Sequence, residues 1–291
     1  MSLHPLALVA VAATLAAGCG ASSAKQSSVP TPLAAAATTA PATTVATAAP
    51  APPVIDLVAT DTGYSMPTKM PGGVVALHFR NDGAHPHEFA FGRLDPGHTA
   101  EEFMALPRDQ QGDVPWVHDE AGPPLMTPGA EITITRRLEP GSYFFFDGFP
   151  SSTGEPYAKL GLVATIAAIG DSGAPLPKPD AVITASKDSF DVPTLRAGPQ
   201  TIELRNASGA GRGFELTSIN PGKTRADADR WFGQLESTGK SPDAPAPVTF
   251  LGAIQTIPTG TSVFLTVELE HGREYHLSDG ESGVEANFTP A

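Results

Sequence analysis

Cysteine and basic residues are the two residue classes in which this sequence is poor. A single cysteine, Cys19, occurs among 291 residues, so the chain cannot form an intramolecular disulfide framework. Lys and Arg total 18 against 31 Asp and Glu, which gives a formal net charge of −13. Nucleic-acid-binding proteins present a basic face to phosphates, so we expect no nucleic-acid partner.

The N-terminal apolar run, residues 6–17, is shorter than the ~20 residues that a membrane-spanning helix needs. It ends in small residues, as a signal peptide does, and Cys19 follows at once in "LAAGC". This junction resembles a bacterial lipoprotein signal. The resemblance implies that residues 1–19 are a signal peptide with a lipoprotein-type end and that Cys19 is acylated. The alternative is an ordinary secretory signal with an incidental cysteine.

Residues 20–52 consist largely of Ala, Thr, Ser and Pro and carry one charge, Lys25. Such a segment cannot bury enough apolar surface to offset its ordering entropy, so we predict a disordered tether. Together with the expected lipid anchor, this tether predicts an exported protein that is held on the cell membrane. The folded part would then face the extracytoplasmic side, in the periplasm or on the outer cell surface.

The rest of the chain contains an internal repeat. The segment "HFRNDGAHPHEFAFGRLDPGHT" at 78–99 aligns without a gap on "ELRNASGAGRGFELTSINPGKT" at 203–224. Because 30 Pro and 29 Gly disfavour long helices, short strands between turns are expected. We predict an all-β fold of two tandem β-sandwich domains, 53–170 and 181–291, joined by a linker at 171–180.

One short helix is expected in each repeat. Thr99 and Glu102 have the spacing of a capping box before residues up to 106, and Thr224 and Asp227 have it before residues up to 235. The Pro-rich stretch 107–127 shows no periodicity and is predicted to be a loop.

At "NDGAHPHEF" the first repeat resembles the cupredoxin family, small Greek-key sandwiches that carry copper. In that family a histidine at this point is the first copper ligand, and a Cys, a His and a Met near the end of the domain complete the set. Carried across, the four ligand positions fall on His87, Asp147, Tyr157 and Leu162. The resemblance therefore implies a copper loop in which three of four ligands are replaced.

These replacements change the chemistry. A blue-copper centre needs two imidazoles and a thiolate, with a weak axial thioether. Asp147 is a hard oxygen donor, Leu162 cannot ligate, and a tyrosine is a poor ligand at neutral pH because its ordinary pKa is about 10. In the second repeat, the same comparison sets Arg212 at the first position and Ser278 at the position of Asp147.

A thiolate-free site of nitrogen and oxygen donors is the other possibility for metal. His85, His87 and His118, with Asp147, could hold Cu(II) or Zn. The competing interpretation is that His87, which alternates with Phe89, is a buried, hydrogen-bonded core residue and that His85 lies at an exposed turn. Our main expectation is that the protein has no cofactor.

No catalytic constellation is predicted. The segment "GDSGAP" around Ser172 resembles the nucleophile motif of trypsin-like proteases, but it lies in the linker and no partner histidine motif precedes it. We therefore expect a non-enzymatic, membrane-anchored binding or scaffolding module whose partner is an envelope protein or a small ligand. The alternative is a copper-handling protein that holds Cu(II) through His85, His87 and His118 without electron transfer.

Overall fold

Nineteen β-strands and two α-helices make up the described part of the chain. The computed structural model describes residues 49–107, 110–112 and 114–291. The expected signal peptide, Cys19 and the tether up to residue 48 therefore lie outside the described residues. The first half contains β1 (Val54–Thr60), β2 (Gly63–Ser65), β3 (Lys69–Pro71), β4 (Gly73–Asn81), β5 (His87–Glu88), β6 (Ala90–Leu94), α1 (Ala100–Ala105), β7 (Val117–Asp119), β8 (Leu125–Met126), β9 (Glu131–Leu138), β10 (Gly141–Phe146) and β11 (Val163–Ile169). The second half contains β12 (Ala181–Ala185), β13 (Phe190–Asp191), β14 (Gly198–Asn206), β15 (Arg212–Ile219), α2 (Arg225–Thr238), β16 (Val248–Ile257), β17 (Ser262–Leu269), β18 (Tyr275–Asp279) and β19 (Val284–Phe288).

These strands form three sheets. The orders are β13-β12-β14-β17-β9-β4-β1-β2, β3-β11-β10-β6-β7 and β19-β18-β15-β16-β8-β5. In the first half the chain passes from β4 to β6 and from β9 to β10 between sheets, and in the second half from β14 to β15 and from β17 to β18. The chain therefore crosses between sheets at these four points, while other consecutive strands, such as β15 and β16, stay in one sheet. Crossings of this kind are typical of Greek-key sandwiches. The predicted all-β sandwich class is confirmed.

Two of the sheets run through both halves. β17 pairs with β9, where Leu265 lies opposite Ile134, and β16 pairs with β8, where Leu251 lies opposite Met126. Residues Ala48–Ala291 form one compact unit. The division into domains at 53–170 and 181–291 remains a prediction, and the halves are described below as parts of one unit.

Apolar side chains that alternate along the strands fill the space between the layers. Phe79, Phe89 and Phe145 are buried in the first half, and their rings pack edge to face at 5.2 and 6.0 Å between centroids. Leu204 and Phe214 are buried at the corresponding place in the second half. Burial of such side chains contributes about 1.5–3 kcal/mol each, which makes this core the main source of stability.

A buried asparagine closes the same turn in both halves. Asn81 Nδ2 donates to the backbone oxygens of His85 and Met126, both at 2.8 Å. Asn206 Nδ2 makes the two equivalent bonds at 2.7 and 2.8 Å. Both asparagines are fully buried. The internal repeat in the sequence thus has a matching repeat in the hydrogen bonds that hold the loop before β5 and β15.

We expect Asn206→Ala to lower the free energy of unfolding by about 1–3 kcal/mol, because the change leaves the buried Ile257 carbonyl without this hydrogen-bond donor. Urea denaturation of the two variants Asn206→Ala and Asn287→Ala measures it. Asn287 is exposed, so its loss should cost much less. Equal costs at the two positions would show that the buried turn is not stabilised by Asn206.

Both helices begin as predicted. Thr99 and Glu102 form a complete capping box at α1, and Thr224 and Asp227 form one at α2. Helix α2 continues to Thr238, three residues beyond the predicted end, and stops at Gly239, whose φ of 63° is the left-handed conformation that glycine tolerates.

The stretch 107–127 is not simply a loop. Its described residues contain β7, which pairs with β6, and β8, which pairs with β5 and β16. Both strands are two or three residues long, too short to leave a period in the sequence. In the described ranges, neither helix combines the length and the hydropathy that crossing a bilayer would take.

Candidate functional site

His87 lies at the start of β5 and is bound by carboxyl groups at both ring nitrogens. Its Nδ1 lies 2.7 Å from Asp147 Oδ2, and its Nε2 lies 3.0 Å from Asp61 Oδ1. The side chains of His87 and Asp147 are fully buried, whereas Asp61 is 34% exposed. The first and second copper-ligand positions implied by the resemblance are therefore in direct contact.

Asp61 follows β1 and holds the turn that precedes His87. Its carboxylate accepts the backbone N–H of Ala84 at 3.0 Å and lies 3.2 Å from His85 Nδ1. Burial raises the pKa of Asp61, but the hydrogen bonds from Ala84, His87 and His85 outweigh it and lower the pKa to about 2. Asp61 is therefore ionised at neutral pH.

Glycine is required at position 83 by this arrangement. A Cβ there would lie 2.6 Å from Asp61 Oδ1 and 2.8 Å from His87 Nε2. The Asp61 carboxylate and the His87 ring meet over the backbone of Gly83, so any larger residue would force them apart.

The contacts of His87 fix how many protons the cluster contains. Two hydrogen bonds link Asp61, His87 and Asp147, and each needs a proton between its two heavy atoms. Either the imidazole carries both protons, or Asp147 carries one of them. Burial raises the pKa of Asp147, while the hydrogen bond from His87 acts in the opposite direction. In both arrangements the three groups together carry one net negative charge.

Tyr157 closes the cluster from the side. Its ring packs edge to face on His87, with 4.5 Å between ring centroids, and the side chain is buried. Burial raises the pKa of Tyr157 to about 12, and the negative charges of Asp61 and Asp147 add to the effect. The phenol therefore stays protonated at neutral pH.

Leu162 is fully buried, and its backbone supports the same loop. Its carbonyl accepts the N–H of Asp147 at 3.1 Å, and its own N–H donates to the carbonyl of Tyr157 at 3.1 Å. Ala158 N–H donates to the Asp147 carbonyl at 2.7 Å. The loop 147–162 thus keeps the outline of a ligand loop, but an apolar side chain stands where the resemblance places a thioether.

The second half of the chain covers this loop. Ser241 N–H donates to the Ser151 carbonyl at 3.1 Å, and Phe149 packs against the cluster that contains Trp231 of α2. What stays exposed is the rim: the His85 side chain is 52% exposed. A cavity of about 330 Å³ lies between His85 and the Pro-rich segment 241–246.

A second buried charge pair occupies the corresponding end of the second half. Arg212 Nη1 donates to Asp279 Oδ2 at 2.8 Å, and the Gly213 N–H donates to Asp279 Oδ1 at 3.2 Å. Both side chains are less than a tenth exposed. Burial raises the pKa of Asp279, but hydrogen bonds from Ser282 and Arg212 outweigh it, so the pKa lies below its usual value.

The strand register corrects one residue of the sequence comparison. β10 pairs with β6 and β18 pairs with β15, with Phe145 opposite Phe91 and Leu277 opposite Leu216. Asp147 stands two residues after Phe145, and Asp279 stands two residues after Leu277. Asp147 therefore corresponds to Asp279 and not to Ser278, because the turn before β18 has one residue more than the turn before β10. Each half thus pairs a basic side chain with a buried aspartate at the first two ligand positions.

His118 makes its hydrogen bond elsewhere. It lies on β7, and its Nε2 is 2.8 Å from Asp95 Oδ1, whereas His85 and His87 share Asp61. Within residues 49–107, 110–112 and 114–291, no group of three or more His, Cys, Asp and Glu side chains has the arrangement of a metal site. The donors at the implied copper position do not fit blue copper, because the thiolate, the second imidazole and the thioether are replaced.

Ser172 of the "GDSGAP" segment uses its hydroxyl for structure. Its Oγ donates to the Val74 carbonyl at 2.7 Å, which ties the linker to β4. A hydroxyl engaged in this way is not poised as a nucleophile.

The pKa of Asp61 predicts a pH dependence. Since the folded-state pKa is lower than the ordinary 3.8, the stabilisation is present above about pH 4 and is lost as the pH falls towards 2. Asp61→Asn should therefore flatten the fall in melting temperature between pH 4 and pH 2. Asp188→Asn, at an exposed position, is the matched control and should keep the wild-type slope. An unchanged slope in Asp61→Asn would refute the assignment.

Comparison with known proteins gives a likeness in structure only. No protein-family model matches the chain, and no curated protein is significantly similar to it in sequence. A multicopper oxidase is 16% identical over 82% of this chain and 88% of that chain, with a TM-score of 0.25. Dithionite-reduced auracyanin from the photosynthetic bacterium Roseiflexus castenholzii is 17% identical over 41% of this chain and 99% of that one, with a TM-score of 0.29. A copper nitrite reductase from Nitrosomonas europaea is 12% identical over 82% and 93%, with a TM-score of 0.23. Likenesses at these values carry no conclusion about activity, so the function has to be argued from the residues of this chain.

Proposed function

We propose that this protein is an exported, lipid-anchored envelope protein whose cupredoxin-like halves act as a binding or scaffolding module without redox copper. The observation that carries the proposal is the buried contact between His87 Nδ1 and Asp147 Oδ2 at 2.7 Å. The His87 nitrogen that faces the second ligand position is engaged by a carboxyl group there. The scaffold has exchanged a metal for a hydrogen-bonded pair of side chains.

The donor chemistry supports this reading. Electron transfer by a blue-copper centre depends on a thiolate that makes both copper oxidation states tolerable in one geometry. The sole cysteine, Cys19, is far from the sandwich in sequence and is assigned to the lipid anchor. Asp147, Tyr157 and Leu162 supply a carboxyl group, a protonated phenol and a methyl-ended side chain instead.

The exposed surface beside His85 is the best candidate contact surface at the former copper end, by which we mean the end of the first half that carries His87, Asp147, Tyr157 and Leu162. Its cavity of about 330 Å³ is lined by His85, Trp231 and Asp243, among others. An envelope protein or a small ligand that docks there would contact a histidine, a carboxylate and proline rings. His87, Asp147 and Tyr157 act below this surface by holding the loops in place.

Copper handling through His85, His87 and His118 is the second candidate. It would require His85 and His87 to release Asp61, and His118 to release Asp95. Protein-film voltammetry after incubation with Cu(II) tests whether any bound copper is redox active. We expect no reversible current, with a blue-copper protein as positive control. A reversible wave that disappears in His87→Ala would overturn the proposed function.

The anchor is tested at the N-terminus. Mass spectrometry of the protein purified from membranes should find a diacylglyceryl group on Cys19 and no residue before it. Cys19→Ser should shift the protein from the membrane fraction to the soluble fraction. An unmodified N-terminus beyond residue 19 in the wild type would refute the anchor.

A further inference from the structure

A second cavity lies in the second half of the chain, where β15 ends and β16 and β18 begin. Its volume is about 650 Å³, which is within the range of small-molecule sites. Ile219, Val248 and Phe232 supply apolar lining from two strands and from α2. Ile219 is 39% exposed, one of the few large apolar side chains at this level in the described part of the chain. The cavity therefore offers an apolar wall that is open to solvent.

Basic side chains surround this wall. Lys223, Arg225 and Arg273 line the cavity, together with the carboxylates Asp229 and Glu274. Arg225 already forms ion pairs with Asp229 and Glu285, and Arg273 forms one with Glu270. Lys223 has no carboxylate within ion-pair distance among the described residues.

One buried polar atom in the lining lacks a protein partner. Ser218 is 2% exposed, and its Oγ makes no hydrogen bond to any described group. Ser218 lies opposite Thr249 across the β15–β16 ladder, and Thr249 Oγ1 accepts from Arg273 Nη2 at 3.1 Å. Ile219 lies opposite Val248 in the same ladder, so Ser218 and Ile219 point to opposite faces of β15, and this hydroxyl does not face the apolar wall.

We propose that this cavity binds a small organic anion with an apolar body, such as an aromatic or aliphatic carboxylate or sulfonate. The apolar part packs on Ile219 and Phe232, and the anionic group meets Lys223, the lining cation that has no carboxylate partner among the described residues. The cavity lies at the start of β18, whereas Asp279 is the last residue of that strand. This cavity adjoins the one beside His85, because Asn220 and Val248 line both, but Lys223 and Ile219 line only this one, so variants at those two positions test this cavity alone.

The test uses anilinonaphthalene sulfonate, an aromatic anion whose fluorescence rises in apolar sites, and its uncharged relative phenylnaphthylamine. Lys223→Met should weaken sulfonate binding about tenfold, since a charged hydrogen bond contributes about 1.5–3 kcal/mol. Binding of phenylnaphthylamine should change less than about twofold, because it has no charge for Lys223 to meet. Lys69→Met, at an exposed position on β3, is the matched control and should leave both probes unaffected.

Ile219→Glu is the second variant, because it places a negative charge in the cavity at a position that is already partly exposed. It should abolish sulfonate binding while the circular dichroism spectrum and the melting temperature stay as in the wild type. Three results would each overturn the proposal: no saturable binding to the wild type, wild-type affinity in both Lys223→Met and Ile219→Glu, or an equal loss in Lys69→Met.

Discussion

Asp147→Ala is expected to lower the free energy of unfolding by about 3–5 kcal/mol, because it removes one partner of a buried hydrogen-bonded pair of ionisable side chains. The change leaves His87 Nδ1 buried without a hydrogen-bond partner, because Asp147 is its only partner, at 2.7 Å, among the described residues. It also removes the acceptor of the Phe149 N–H, at 2.9 Å. Urea denaturation followed by tryptophan fluorescence measures the loss.

Two controls separate burial from pairing. Asp95→Ala removes an aspartate from a histidine pair that is 42% exposed on both sides, so it should cost no more than about 1 kcal/mol. The double variant His87→Leu/Asp147→Leu replaces both partners by apolar groups and should recover most of the stability that Asp147→Ala loses. If Asp147→Ala costs no more than Asp95→Ala, the pair does not hold the loop.

Arg212→Met should cost a similar amount, about 3–5 kcal/mol, at the corresponding end of the second half. The change leaves Asp279 almost fully buried without its cation at 2.8 Å. Because the pKa of Asp279 lies below its usual value, the pair stabilises the fold above the unfolded-state pKa of 3.8, and this contribution is lost as the pH falls. Stability of Arg212→Met should accordingly depend less on acid than that of the wild type.

Denaturation curves at neutral and acid pH measure both effects for Arg212→Met. Arg205→Met is the control, since Arg205 is half exposed in its ion pair with Glu203 and should matter little. If the denaturation curves of Arg212→Met and Arg205→Met were equal, the buried Arg212 pair would not stabilise its half of the chain, and its equivalence to the His87 pair would be contradicted.

Local pattern was enough to predict a fold of many short strands and the Thr99 and Thr224 capping boxes, but not β7 and β8, and it left the buried position of His87 as one of two interpretations. The residues whose contacts the sequence did not predict lie close to the site in space but far from it in sequence. Asp61 joins His87 from a turn 26 positions earlier, and nothing in its neighbourhood marks it as a partner. Asp279 was missed because one extra residue before β18 shifts the comparison to Ser278.

Pairing between strands that are far apart in sequence accounts for the other features of the structure that the sequence did not predict. The sheets continue from β9 to β17 and from β8 to β16, contacts between segments that are more than a hundred positions apart. A repeat in sequence shows that two units are alike, but it does not show which edges meet. The cavity beside α2 likewise depends on how the helix packs over the ends of β15 and β18.

The central claim of the proposal is that a hydrogen-bonded pair of side chains, His87 and Asp147, stands where the cupredoxin resemblance implies two copper ligands. Calorimetric titration with Cu(II), monitored in parallel by electron paramagnetic resonance, tests it most directly on the purified wild type and on His87→Ala. The account predicts that neither protein has a site tighter than micromolar that depends on His87. A tighter site in the wild type that is lost in His87→Ala, with an intense blue thiolate band or without one, would contradict it.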